Sequence, residues 1–249
     1  MELFLKSEHA GDLNIPDIRI MHENDRYNVL RDSSDFNLLK ETSCGNACAF
    51  EFLMDRYLDI VSSTSFRIMC DRENSEYVTE EVFVSVWNEA LDYDDSYTVK
   101  EWILRKTCSL CMKRIYRRML LRIFGVQTDV FVQASPEVDD VDDYLTKLAW
   151  ELYCRATTHM SPLQCISYAL CSMEDIPVPE ASYIVRRPVF MISMAHESAK
   201  EKVINEMVHY GREADYDRYL RFLRRVAESL TDRSRLILNI SRRVGFFSK

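Results

Sequence analysis

The chain has 249 residues with only 5 glycines and 6 prolines, where average usage would put roughly 17 glycines in this length. Tight hairpins and phosphate-cradling loops consume glycine, so the shortage argues for helices. Hydrophobic residues make up 47% and charged residues 29%, which excludes a disordered chain, and no apolar run reaches the ~18–20 residues that span a bilayer.

The N-terminus, MELFLKSEHAGD, is acidic from its second residue and lacks a long apolar run. It makes a poor signal peptide, and a cytoplasmic location is the expectation. Residues 1–33 show no clear period and read as an N-terminal extension. Helical patterning starts near Asp35. Ala47–Cys70 has apolar residues on one helical face, and a turn follows with Asp71 or Asn74 as N-cap. The next helix runs from about Ser75 to Ala90, with Val78, Val82, Phe83, Val86, Trp87 and Ala90 at helical spacing. Leu91–Tyr97 breaks the pattern as a loop, and another helix covers Val99–Ile123.

Residues 125–143 contain Pro136 and a dense acidic run, as a linker between domains would. Helical patterning resumes at Tyr144. It is interrupted at Ser161–Pro162, Ile176–Pro179 and Arg186–Pro188, each of which suits a helix start. From His209 a tail carries two further apolar stripes: Tyr216, Tyr219, Leu220, Leu223 and Val226, then Leu236, Ile237 and Ile240. Arginines crowd its other side. The tail could add core to the preceding domain, occlude DNA-binding surfaces, or contact phosphates. The reading is an all-α protein of two helical domains, 34–124 and 144–208, with a helical extension over 209–249.

The net charge of -8 is unevenly spread. Residues 1–99 carry 8 basic and 21 acidic side chains, whereas residues 100–122 carry 8 basic and 1 acidic. Residues 209–249 are basic again, 10 to 5. An acidic protein with one dense basic segment suits a local site for an anionic partner. On a helical wheel Trp102, Lys106, Ser109, Lys113 and Arg117 share one face of Val99–Ile123. Leu104, Cys108, Cys111, Ile115 and Met119 share the other. Cations with an aromatic ring fit a nucleic-acid strand, and a solvated charged face is the plainer alternative. Cys108 and Cys111 lie on the apolar stripe, so this CxxC reads as buried, reduced core rather than a metal or redox site. The same holds for the eight cysteines as a set.

Four stretches in order resemble region 2 of the ECF-type (extracytoplasmic function) RNA polymerase sigma factors. They are GNACAFEFLMDRYLDIV (Gly45–Val61), DRENSEYVTEEVFVSVW (Asp71–Trp87), the loop DYDDSYTVKEW (Asp92–Trp102) and LRKTCSLCMKRIYRR (Leu104–Arg118). Met160–Lys202 resembles region 4 of the same family, a helix-turn-helix, with the recognition helix falling on Val189–Lys202. The resemblance implies binding to core RNA polymerase through Asp71, Glu73, Glu76, Glu80, Glu81, Phe83 and Trp87. It implies contact with the downstream promoter element through Asp94, Asp95, Ser96 and Tyr97 of the loop. Trp102, Arg105, Lys106, Ser109, Lys113, Arg117 and Arg118 of the basic helix would join them. For the upstream element it implies Arg186, Arg187, Ser193, His196 and Lys200. Promoter DNA and core polymerase are the implied partners, with an anti-sigma factor as a further family expectation. No cofactor, metal or membrane insertion is implied.

The chain departs from the family in three places. Ser109 and Lys113 stand where the family commonly has Asn and Asp, and Arg186 replaces the glycine of the turn. Val189–Ala195 (VFMISMA) carries no charge, unlike helices that present Lys or Arg to a groove. An alternative sigma factor is therefore the leading reading. A degenerate sigma-like module that binds polymerase or a regulator without reading promoters is the second. With no HExxH, nucleophile elbow or Gly-rich loop, an enzyme is the least supported class.

Overall fold

The computed structural model describes residues 28–123, 141–209, 216–229 and 232–246. The expected linker up to residue 140 and the extension up to residue 27 lie outside them. The fold is all-α, with no strand among the described residues. A helical turn at 28–31 places Leu30 in the core, so the last part of the expected N-terminal extension is built into the domain.

The first four helices are α1 (Asp35–Ser43), α2 (Ala47–Met69), α3 (Arg72–Asn88) and α4 (Val99–Ile123). After residue 140 come α5 (Val141–Thr158), α6 (Pro162–Tyr168), α7 (Val178–Val185), α8 (Val189–His209), α9 (Tyr216–Ser229) and α10 (Arg233–Arg243). A π-helical turn, Ala169–Met173, extends α6.

Local chemistry sets most of the boundaries. The first backbone N–H groups of a helix lack intrahelical partners, and a short polar side chain supplies one. Ser34, Asn46 and Asp71 do this for α1, α2 and α3, with Asp71 accepting from the Asn74 N–H at 2.7 Å. Thr98 and Glu101 cap α4 reciprocally, as Ser161 and Gln164 cap α6 around Pro162. α2 and α7 both end on a residue in the left-handed region, Cys70 at φ 50° and Arg186 at φ 55°. Arg186 thus adopts at the turn the conformation for which glycine is the easy choice.

Leu38, Phe50, Leu53, Val82, Phe83 and Ile103 centre the core of α1–α4. That core does not stop at the expected domain boundary. It continues through Ile166, Leu170, Ile184 and Ile192 of the later helices and takes in Leu236 and Ile240 of α10. A second core forms where Phe66 of α2 stacks on Trp150 of α5, centroids 4.6 Å apart, beside Tyr153, Tyr168, Tyr219 and Leu223. The cause is visible in α2. Its last six residues, Thr64 to Met69, are all buried, so this end must be covered on every side. Among them is Arg67, which forms a buried ion pair with Glu174. Arg67 also donates to the Arg224 carbonyl at 2.9 Å, and Glu174 accepts from Ser63 and Thr64. This polar knot ties α2 to the α6–α7 turn and to α9.

Candidate nucleic-acid and partner interfaces

The two halves of the basic helix α4 have different surroundings. Trp102, placed by the wheel on the solvent face, is buried at 8% exposure. The loop before α4 folds back over the first turn, bringing Tyr93 edge-on to the indole at 5.5 Å. The Lys106 ammonium lies 4.3 Å from the same ring. Lys106 bonds Glu89 at 2.6 Å and Ser85 at 3.1 Å, and this hydrogen bond holds the Glu89 carboxyl below its usual range. The indole is therefore a core side chain in this conformation and presents no stacking face to solvent.

Arg105 is turned toward α7. Its guanidinium donates to the carbonyls of Tyr183 at 2.8 Å and Ile184 at 3.3 Å, at the helix end where carbonyls lack partners. It also lies 3.7 Å from the centroid of the Tyr97 ring. The Tyr183 hydroxyl donates to the Ser96 carbonyl at 2.6 Å, and Arg186 donates to the Tyr97 hydroxyl at 3.1 Å. Hydrogen bonding from Arg105, then from Ser96 and Arg186, pulls the Tyr97 hydroxyl down to about 8. The loop, α4 and the α7 turn thus form one cluster. It joins Ser96, Tyr97 and Arg105, expected at the downstream element, to Arg186, expected at the upstream one. Asp94 accepts from the Ser96 hydroxyl, and Asp94 and Asp95 are exposed.

The second half of α4 is open. Ser109, Lys113, Tyr116 and Arg117 are exposed on consecutive turns, and Arg118 is half-buried. Arg114 turns away, to Asn74 at 2.7 Å and the Tyr77 ring at 4.4 Å. A cleft of about 650 Å³ runs between α3, α4 and α7. Lys106, Lys113, Arg186 and Arg187 line it together with Glu89, Asp92 and Asp94. Lys113 is among the residues lining the cleft, and Arg117 follows one turn further along α4. Cys108 and Cys111 are buried beneath, and burial pushes the Cys108 thiol up to about 12 and that of Cys111 well above its ordinary value. Neither is a ready thiolate nucleophile. All eight cysteines are free, and among the described residues no cluster of His, Cys, Asp and Glu is arranged to hold a metal ion.

On the expected recognition helix α8, Ile192 and Ala195 point into the core. Val189, Phe190, Met191 and Met194 are exposed, together with Ser193, Arg186 and Arg187. His196 turns inward, 2.7 Å from the Ser172 hydroxyl, and burial lowers its pKa. Lys200 rests 5.0 Å from the Tyr216 ring of α9. The outward surface of this helix start is therefore apolar, flanked by two arginines.

The acidic helix α3 meets a part of the chain that its own sequence does not announce. Phe83 is fully buried, whereas Asp71 caps the helix and stays half-buried. Glu73 is exposed. Glu76 pairs with Arg72 at 2.9 Å and with Arg235 of α10 at 3.7 Å. Glu80 accepts from Asn239 at 2.7 Å and lies 3.5 Å from Arg243, which also pairs with Glu81. Phe246 packs edge-to-face on Trp87 at 5.0 Å and on Phe50 at 5.8 Å. Arg233 reaches Asp55 and Asp59 of α2. No local motif announces these partners. The available signal was the opposite charge of residues 1–99 and 209–249. The tail also divides its roles: α9 packs as core against α5, while α10 lies on α3.

No protein-family model matches the chain, and no curated protein matches it. A solved structure with a similar chain is that of CnrH in complex with the cytosolic domain of CnrY. It shows 16% sequence identity and a TM-score of 0.49, over 71% of this chain and 99% of that one. Among the described residues no helix is long and apolar enough to cross a membrane.

Proposed function

We propose that this protein is a sigma-type transcription initiation factor, which binds core RNA polymerase and directs it to promoters. The observation that carries the reading is the pairing of α3 and α4. An acidic helix packs beside a basic one, and the basic one keeps Ser109, Lys113 and Arg117 exposed on consecutive turns. The carboxylates of α3 suit a basic protein surface, where charge complementarity steers encounter and register. The cations of α4 suit phosphates, and the adjoining cleft has room for an unstacked base. The resemblance of Gly45–Arg118 to the sigma-factor pattern gives these two surfaces their partners. In this role the chain carries no chemistry of its own and works in the cytoplasm beside the polymerase.

A second reading, a sigma-like interaction module that does not read promoters, is favoured by one specific feature. The expected recognition helix presents Val189, Phe190, Met191 and Met194 outward. An apolar surface of this kind suits a protein groove better than a DNA groove.

The deciding experiment mixes the protein with core polymerase and a promoter library and scores open complexes. Promoter-selective opening that the Lys113→Ala/Arg117→Ala variant loses supports the sigma-factor reading. Tight polymerase binding without selective opening supports the interaction module. No binding to polymerase removes both.

A further inference from the structure

α10 contains four arginines, Arg233, Arg235, Arg242 and Arg243, and no acid. Three of them answer carboxylates of the first helices: Arg233 meets Asp55 and Asp59, Arg235 meets Glu76, and Arg243 meets Glu80 and Glu81. Asn239 adds a hydrogen bond to Glu80. The apolar anchor consists of Leu236, Ile240 and the Phe246 ring, which packs on Trp87 and Phe50, with Ile237 and Val244 partly buried beside them. α10 packs chiefly on α3, whereas α3 is separately held by α2 and α4. Removing α10 would therefore leave the contacts of α3 with α2 and α4 in place while uncovering one face of the core.

From this placement we infer that α10 is a releasable cover for the acidic face of α3, occupying the surface that a basic partner would use. The inference rests on the reading of that face as the polymerase-binding surface and adds its regulation. Free and partner-bound forms would compete for the same carboxylates, so a partner gains access only as α10 leaves. The contact is built for release. Arg235 is 60% exposed, and Arg233 and Arg243 are each about one-third exposed, while Glu76, Glu80 and Glu81 beneath them are more covered. Ion pairs of this kind are individually weak and screened by salt. Leaving the face would return the arginines to water and expose Trp87, Leu236 and Ile240 together.

The test compares the full-length protein with its Arg235→Glu/Arg243→Glu variant, which sets like charges against Glu76, Glu80 and Glu81. Two probes are titrated at low salt: a fluorescein-labelled peptide spanning residues 232–246, and core RNA polymerase. The expected result is that the variant binds both about tenfold more tightly, the scale that two or three partly exposed ion pairs supply. Hydrogen exchange of the unmodified protein at 0.05 and 0.5 M salt (roughly 14 and 4 Å of screening length) gives a second measurement that does not depend on the variant folding. Amides of α10 are expected to exchange about tenfold faster at high salt, with those of α2 unchanged. Equal peptide affinity for the two chains, or α10 amides as protected as those of α2 at both salts, overturns the cover. Tighter peptide binding with no polymerase binding by either chain keeps the cover and overturns the polymerase reading. Tighter peptide binding with equal polymerase affinity keeps the cover and removes polymerase as the competitor for this face.

Discussion

α3 and α4 lie side by side with opposite charge, and the chain treats them differently. Glu76, Glu80 and Glu81 of α3 are answered by arginines of α10, more than 150 residues later in the chain. On α4 the first half is engaged, with Arg105 on the α7 carbonyls and Lys106 on Glu89, while Lys113 and Arg117 stay exposed. A run of like charge therefore states the sign of a surface but not whether that surface is free. Neutralisation comes from whatever element packs across it, and packing is decided by the apolar residues beneath the charges. Leu236 and Ile240 bring α10 to α3, and Ile184 brings α7 to α4.

The largest effect that would sharpen this contrast lies in the buried knot. Arg67 and Glu174 are nearly withdrawn from water, with side-chain exposures of 5% and 12%. Arg67→Ala leaves the carboxylate uncompensated and is expected to cost about 3–5 kcal/mol in urea unfolding. Arg243→Ala, whose side chain is about one-third exposed, is expected to cost less, about 1 kcal/mol. Similar losses for the two would erase the distinction between tying charges and covering charges.

The next effect separates the halves of α4. The Lys113→Ala/Arg117→Ala variant is expected to lower the salt slope of single-stranded DNA binding by about 1.4, at ~0.7 for each phosphate no longer neutralised. Its unfolding free energy should stay within about 0.5 kcal/mol of the parent. Arg105→Ala should do the reverse, changing stability more than the slope. A slope change in the Arg105 variant equal to that of the double variant would show that the α4–α7 contact opens on DNA.

The smallest effect is a titration. The Tyr97 hydroxyl, pulled down to about 8 by Arg105, Ser96 and Arg186, should ionise well before an ordinary tyrosine. A folded pKa lowered from about 10 means that the tyrosinate contact adds stability fully above pH 10, and that this is lost as pH falls through 8. The junction of loop, α4 and α7 should therefore tighten between pH 8 and 10. Phenolate absorbance of the protein minus its Tyr97→Phe variant should show a midpoint near 8, and Arg105→Gln should move it upward. A midpoint near 10 in the parent would show that the cluster is open in solution.

Much of the helical map was legible. The Val99–Ile123 helix has the expected bounds, Asp71 caps α3, and the three proline-marked interruptions precede α6, α7 and α8. These features depend on near neighbours in sequence, on caps, prolines and the period of apolar residues. The apolar outward start of α8 was equally readable, since it follows from residue types at fixed offsets, whereas the left-handed conformation of Arg186 is not what an arginine by itself announces. Trp102 shows where such reasoning ends. A wheel assigns it the same face as Lys113, but the preceding loop returns over the first turn of α4 and buries it beside Tyr93. The wheel treats the helix as isolated, and a loop folding back is a non-local event.

The sequence by itself determined an all-α chain, the order of its helices, and the opposite charges of α3 and α4, because each is written in residues a few positions apart. Only the tertiary structure decided that the two expected domains share a core, that Arg67 and Glu174 meet out of water, and that α10 covers the acidic face of α3. Those outcomes depend on which apolar surfaces meet across a hundred residues or more. Hydrophobic burial is non-directional, so the pairing emerges only when all the faces compete for cover together.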